Sequence, residues 1–398
     1  MSTHISNKEK YIFLLVSFMI WFPHFIYLPI LSPYMESMGG TYVFIGIVLS
    51  SYGLMQFLFR LPIGISSDLL KIRKPFIILG LLISTVSCFI FALTDSLGWI
   101  LFARSLAGLS VATWVVFAVL YSSYFADREV HRAMSSISFV VVLAQLLGMI
   151  FSGYVVNAWG WQAPFWIGGI VGLIGIALAF FIYEPKEAVT KAPVRLQELT
   201  SVMREPHLLK ISLLSILAHS IIFTTMFGFI PTYVTSIGFE ARDISLIVFA
   251  FMIPHALATL YLGKFVVPRF GKWRALKYAF LLTALFTLIT PFVESKWLLI
   301  VVQGVNGFAL GVLFPLLLGM SIESISHEKR ATAMGVYQAV YAIGMFLGPF
   351  LAGILNSSFG IAAGFYFAGM LGLIASGLIV VWGRKKSQKQ VEKYQISS

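Results

Sequence analysis

One acid, a few bases and three histidines are the groups best able to do chemistry in a chain with little other charge. In Gly64-Ile65-Ser66-Ser67-Asp68-Leu69-Leu70-Lys71-Ile72-Arg73-Lys74, a carboxylate is followed closely by cations, between two long apolar runs. Asp68 can accept charge-assisted hydrogen bonds from Arg73, from Lys74 or from the free N–H groups of a neighbouring helix start. Gly64, lacking a side chain, lets two helices approach closely. An acid and bases placed this way form a polar clasp at a membrane surface. Arg60 and Arg104 lie inside apolar runs, where a charge is costly and usually faces a cavity or a partner. Arg60 stands eight residues before Asp68, hence on nearly the same helix face, and is expected either in the clasp or reaching toward lipid phosphates. Arg104 is expected to hold charge in a central cavity or to tune a proton site, with reach toward the outer surface as the alternative.

His24, His219 and His255 are embedded groups whose ordinary pKa lies near neutrality, so each can carry a proton or simply bridge helices. Trp21, His24 and Tyr27 share helical spacing in a stretch punctuated by Pro23, Pro29 and Pro33. Bent or broken helices tend to line solute sites. Asn306, with Gln56, Trp114, Gln145, Gln303, Tyr337, Gln338 and Tyr341, completes the embedded polar and aromatic candidates. A cavity lined by aromatics and amides, with few fixed acids, suits an amphipathic neutral or anionic solute better than a dication.

The elements that must position these groups follow from composition. Hydrophobic residues form 59% of 398 and charged residues 11%, more apolar surface than a soluble domain of this length can bury. The net charge of +12 comes from bases scattered through short loops rather than a stripe, which points to membrane topology and away from nucleic acid. Cys88 is the single cysteine, so disulfides and thiolate metal sites are excluded, and no metal or cofactor is expected. The first apolar run has no small-residue cleavage site and reads as a spanning helix.

Runs long enough to span a bilayer fall near 11–31, 42–66, 75–93, 98–124, 134–156, 163–183, 208–234, 244–265, 274–292, 297–321, 331–355 and 362–382. None shows the period-two alternation of a barrel strand, so the expected class is an all-α membrane protein of twelve helices. With both termini inside, every lysine and arginine but four falls on the cytoplasmic side. The exceptions are Arg242 and Lys296 in outer loops and Arg60 and Arg104 within spans. Met134, Gly148, Gly153, Gly160, Phe165, Gly169 and Gly172 recur as Met334, Gly348, Gly353, Gly360, Phe365, Gly369 and Gly372; Gly64 and Gly108 recur as Gly263 and Gly307. A near-constant offset of this kind marks a duplication. The expected organisation is a six-helix bundle over 1–184, a cytoplasmic linker over 185–207, a second six-helix bundle over 208–383 and a basic tail over 384–398.

Gly64, Asp68, Arg73 and Lys74 resemble the signature between the second and third helices of the major facilitator superfamily, though Ile72 replaces the glycine usual before the basic pair. In that family the loop is a cytoplasmic gate latch, made and broken as two halves rock. Gly263 to Lys272 resembles a weaker second copy in which Val267 replaces the aspartate, so an acidic contact is expected only in the first. Arg104 with Gly108 resembles the family's fourth-helix arginine and glycine. Gly148 and Gly153 resemble the glycine-rich antiporter motif of its exporters, with Met149 in place of proline; Gly348, Pro349 and Gly353 match it better in the other half. Small residues at this spacing permit tight, leak-proof helix contact.

The resemblance implies a monomeric, multi-pass transporter of the drug-exporter-like branch in the cell membrane, with a small-molecule substrate, the lipid bilayer and the proton as partners. It implies proton-coupled efflux of a small amphipathic organic solute by alternating access, with the first and seventh helices lining the path. Two alternatives stay open: a dedicated exporter of an endogenous metabolite such as an opine-type metallophore, for which Trp21, His24, Tyr27 and Arg104 would suit a carboxylate, and a proton-coupled uptake symporter. No zinc-protease, serine-hydrolase or phosphate-loop motif occurs, so neither an enzyme nor direct drive by ATP is expected.

Overall fold

A computed structural model describes residues 5–125, 129–185, 201–325 and 329–396, without the side chains of residues 130–132, 264, 330, 331 and 383–396. Most of the expected linker therefore lies outside the described residues, as do the side chains of the expected tail.

Twenty apolar residues wound as a helix cover about 30 Å and satisfy every backbone group internally, which hydrocarbon requires. Eleven described segments meet that length: Asn7–Ser37, Tyr42–Leu70, Lys74–Leu93, Leu97–Ser122, Ala133–Trp159, Pro206–Ser236, Ala241–Tyr261, Lys272–Phe292, Lys296–Ser321, Thr332–Phe359 and Ala362–Trp382. A shorter apolar helix, Ala163–Ala179, is the sixth in chain order and completes a twelve-span all-α membrane protein. We number the spans 1 to 12. Wide apolar belts face outward, with Trp297 76%, Leu93 70% and Phe181 69% exposed, surface that only lipid accommodates.

The expected ends shift in places. Span 1 starts earlier and runs on to Ser37, so Glu36 sits in its last turn and accepts from the Tyr42 hydroxyl at 3.1 Å instead of standing beyond it. Its early start is set by a capping box, Ser6 and Glu9 each satisfying the other's backbone N–H. Span 6 stops at Ala179 where apolar composition alone predicts continuation to Tyr183.

The duplication is written into the backbone. Among the described residues, positive φ occurs only at Gly39 and Gly238, Lys71 and Gly271, and Gly160 and Gly360, three pairs of equivalent turns. Left-handed turns of this kind favour glycine, and only Lys71 does without it.

Span 1 is broken at Tyr27, between Asn7–Ile26 and Leu28–Ser37, because Pro29 has no N–H to continue the ladder. Span 7 carries the equivalent interruption, a π turn at Thr225–Phe229 followed by Pro231. The two interruptions meet, with the Ser32 hydroxyl donating to the Gly228 carbonyl at 2.6 Å.

The halves join through symmetric pairings, span 2 on span 11 and span 8 on span 5. A Cβ added at Gly46 would lie 2.6 Å from the Pro349 carbonyl oxygen, and one at Gly353 would lie 2.6 Å from that of Tyr42. Gly53 is as close to Met345, and the Gly153 N–H donates to Ser245 Oγ at 2.9 Å. All these contacts lie toward the face opposite the termini. Near the termini, a second core cluster (Phe13, Ile77, Phe117, Tyr121, Ile182) belongs to the first half alone and is separate from the large cluster running through both halves. Among the described residues the halves thus share close contacts at one face and no core at the other, where they part.

Candidate functional site

Two buried guanidinium groups organise the interior. In the first half, the break in span 1 places Tyr27 so that Arg104 Nη1 donates to its hydroxyl at 3.2 Å. The Arg104 guanidinium also lies 4.1 Å from the centre of the Tyr52 ring, a cation–π distance. His24 Nε2 stands 3.3 Å from Ser84 Oγ and 3.4 Å from Ser110 Oγ, while Nδ1 is 3.5 Å from the Tyr27 hydroxyl. Spans 1, 3 and 4 thereby meet at one imidazole. Arg104 is 2% exposed, which excludes reach to the surface in this posture. Trp21 does not join this group; it stacks on Phe25 and meets Trp114 edge-on, and its Nε1 has no partner.

The second guanidinium sits where the halves cross. Tyr52, Gln56 and Arg60 lie four residues apart on one face of span 2, and Arg60 Nη2 donates to Gln56 Oε1 at 2.5 Å. Its Nη1 reaches into the other half, to Gln338 Oε1 at 3.3 Å and the Tyr341 hydroxyl at 3.2 Å. Arg60 accordingly belongs to this crossing and neither to the clasp near Asp68 nor to the lipid surface. Eight residues of helix hold it about 12 Å from Asp68 along the axis, and the amide oxygens of Gln56 and Gln338 accept hydrogen bonds from its N–H groups instead.

Tyr341 leads on to span 7. Its ring stacks on that of His219, with centroids 4.0 Å apart and planes within 3°. His219 Nδ1 lies 2.8 Å from the Ser215 carbonyl, which can only accept, so Nδ1 carries the proton and an added proton must go to Nε2. Ser215 Oγ continues to the Tyr337 hydroxyl at 2.8 Å. His255 stacks on Phe251 and shares Phe314 with His219, but its Nδ1 has no partner. Asn306 is buried with Oδ1 likewise unpaired, and nothing brings it into either cluster.

At the face carrying the termini, Arg73 donates to Asp68 Oδ1 from both terminal nitrogens, at 2.9 and 3.0 Å. Glu184 completes the arrangement, accepting the backbone N–H groups of Arg73 at 2.5 Å and Lys74 at 3.2 Å. A carboxylate at the start of span 3 is favoured by the free N–H groups and helix dipole. Lys74 Nζ donates to the Phe180 carbonyl at 2.6 Å, not to Asp68. Gly64 meets only Val115 of its own half. In the second half, Val267 begins a four-residue helix, and Lys272 pairs with Glu323 at 2.8 Å. The expectation of an acidic contact in the first copy alone is corrected: Glu323, from the loop after span 10, supplies one. Both partners are nearly half exposed, so that pair contributes about 1 kcal/mol at most.

Asp68→Asn removes the anion facing Arg73, whose side chain is 5% exposed. Because Asp68 itself is partly solvated, the expected loss is modest in stability, while transport falls by about tenfold if that pair is needed to reset the clasp. Glu184→Gln keeps the acceptor and loses the charge, which predicts a fall of about 0.5 kcal/mol and a smaller transport defect. Melting in detergent alongside transport in proteoliposomes checks both; equal rates in all three proteins refute the expectation.

The glycine positions divide by role. Gly148 packs against Phe25 and Ile26 of its own half, and Gly348 against Ser220 of its own half, whereas Gly153, Pro349 and Gly353 lie on the seam between halves. A groove of about 360 Å³ lined by Val86, Phe89, Ile90, Leu93, Thr94 and Trp99 is apolar, opens on the outer surface of spans 3 and 4, and holds none of these groups.

Tyr52, Ser215 and Glu184 are the residues sequence reasoning missed. Tyr52 had a signal, since it precedes Gln56 and Arg60 at helical spacing. Glu184 had none, because its partners are backbone groups more than a hundred residues away.

The profile of the Major Facilitator Superfamily matches residues 13–290 and 235–395. Among curated relatives, the inner membrane transport protein YajR of Escherichia coli is 28% identical over 371 residues, 90% of this chain and 78% of YajR. Multidrug resistance protein 2 of Bacillus subtilis is 24% identical over 96% of this chain and 97% of its own. A crystal structure of a mutant form of the nucleoside transporter NupG superposes with a TM-score of 0.78 at 16% identity, covering 94% of this chain and 99% of that one.

Proposed function

The chain belongs to the major facilitator superfamily, and from that premise we propose that it exports a small amphipathic organic solute by alternating access, driven by inward protons. As a member of that family it is a membrane transport protein and not an enzyme. The observation that carries the proposal is the arrangement of the halves. They are sealed by backbone-close glycine contacts at one face, parted at the other, and crossed between by Arg60 with Gln338 and Tyr341. Rocking about that crossing would open and close the two faces in turn. With the termini cytoplasmic, as the distribution of lysine and arginine favours, the parted face looks into the cell. The relative from Bacillus subtilis is by name a drug-resistance protein, which supports the outward direction.

Protons need a carrier, and every aspartate and glutamate in the sequence stands at or beyond the end of a span. Of the three histidines left at depth, His24 and His219 stand one in each half on the spans that carry equivalent breaks, whereas His255 lies on span 8. His24→Ala and His219→Ala are each expected to abolish the dependence of transport on a pH gradient; a wild-type gradient response in both variants removes the histidines from coupling.

A dedicated exporter of one endogenous metabolite is the second reading, favoured by the closely fitted polar groups around Arg60. The test is untargeted. Proteoliposomes of the purified chain are loaded with a bacterial small-molecule extract, a pH gradient is imposed, and solutes that leave are identified by mass spectrometry. A spread of lipophilic compounds supports broad efflux, a single metabolite supports the second reading, and uptake with the proton supports a symporter. No movement beyond that of empty liposomes overturns the proposal.

A further inference from the structure

We infer that the solute carries an anionic group, a carboxylate or its chemical equivalent, and that Arg60 binds it by exchanging its partners in the opposite half for the solute. The inference rests on the alternating-access reading above. Its ground is a missing charge. Arg60 is 2% exposed at the depth where the halves cross, and each of its partners is neutral: Gln56, Gln338 and Tyr341. Its Nε is buried with no partner. Arg104, on the far side of Tyr52, is equally buried, also has an unpaired Nε, and meets the neutral rings of Tyr27 and Tyr52. Among the described residues, no carboxylate pairs with either guanidinium, and the carboxylates described lie at span ends or in loops.

A guanidinium held in a low-dielectric interior by neutral acceptors alone is costly, and an anion reaching it recovers much of that cost. A planar carboxylate also matches the guanidinium fork better than an amide oxygen and a phenol at 3.2–3.3 Å can. A dication, by contrast, would be repelled twice. The rings of Tyr341, His219 and Phe314 beside the crossing supply the apolar wall for the remainder of an amphipathic molecule.

The same geometry makes Arg60 a tie between the halves. Its bonds to Gln338 and Tyr341 are among the polar contacts that span the pathway, and an anion competing for Nη1 would release them. Binding would then loosen the crossing and bias the equilibrium between postures, which a ligand can do only through such differential contact.

The test reads charge directly and does not require the natural solute. In a Cys88→Ala background, Gln338→Cys places a thiol beside Arg60. Its modification rate is measured with sulfonatoethyl methanethiosulfonate, an anion, and trimethylammonioethyl methanethiosulfonate, a cation. Arg60→Gln is expected to lower the anion-over-cation rate ratio by at least about tenfold, because a unit charge close to the thiol acts in opposite directions on the two reagents; Arg60→Lys should preserve it. A ratio unaltered by Arg60→Gln overturns the inference. So does a thiol that reacts with neither reagent, since a solute-binding Arg60 must become reachable. In the loaded proteoliposomes, the solutes that leave should be anions, and Arg60→Gln should slow them at least tenfold. Export of cations alone overturns this inference and leaves the transport reading standing, whereas no movement at all sinks that reading while the thiol ratio is still read on its own.

Discussion

Gly46→Ala is expected to slow transport by roughly one to two orders of magnitude in a protein that still folds. A methyl group there meets the Pro349 carbonyl oxygen at 2.6 Å and the Gly353 Cα at 2.9 Å, both backbone atoms of the opposite half. Backbone cannot swing aside as a flexible side chain can, so the seam must part. Overpacking of this kind costs about 1–3 kcal/mol. The cost falls on one posture only, because the clash exists only while the halves are sealed at this face. A differential of that size shifts a two-state equilibrium by about 5- to 150-fold. Gly307→Ala is the instructive control. It presses on the Phe251 backbone within one half, so it penalises both postures alike and lowers stability without favouring either. Distances between spin labels placed across the span 2–span 11 seam should lengthen in Gly46→Ala and stay put in Gly307→Ala. Normal turnover by Gly46→Ala would mean that the seam is not a working surface.

Arg104→Met separates function from stability. Removing the guanidinium forfeits one charged hydrogen bond to Tyr27 and a cation–π contact with Tyr52, together about 3–4 kcal/mol. It also relieves a charge whose burial in a membrane costs about 2.5–3.5 kcal/mol even on the lenient scale. The opposing effects are of similar size, and methionine fills much of the vacated volume. The melting temperature should therefore change by no more than a few degrees. Transport should nevertheless fall to background, because Tyr27 and His24 lose the group that holds the broken first span against spans 2 and 4. Thermal melting and proteoliposome transport of the same preparation decide it. A large drop in melting temperature would make Arg104 a structural residue; normal transport would remove it from the mechanism.

Charge unmatched by charge joins the two buried arginines to the rest of the molecule. A protein selected for stability alone would have little reason to keep either group, since hydrophobic residues of similar volume pack at no such cost. Function is the usual reason that intramembrane cations persist. That argument was partly legible in advance: Arg60 and Arg104 stand out in any reading of the apolar runs. Their neighbours were not legible. Helical spacing placed Arg60 on the face of Asp68, and proximity in sequence suggested that they work together. The tertiary structure sends Arg60 to Gln338 and Tyr341 instead, and gives Asp68 to Arg73.

The sequence by itself determined the number of spans, the duplication and the family. Hydropathy, spacing and short motifs are one-dimensional properties, and the bilayer and the repeat act on them directly. Tertiary structure alone decided which helix faces meet: the seam at Gly46 and Gly353, the carboxylate of Glu184 over the start of span 3, and the two guanidinium groups left without an anion. Lipid accepts any apolar face of a helix about equally, so the rotation and depth of each span are set by packing against other spans, which no local pattern records.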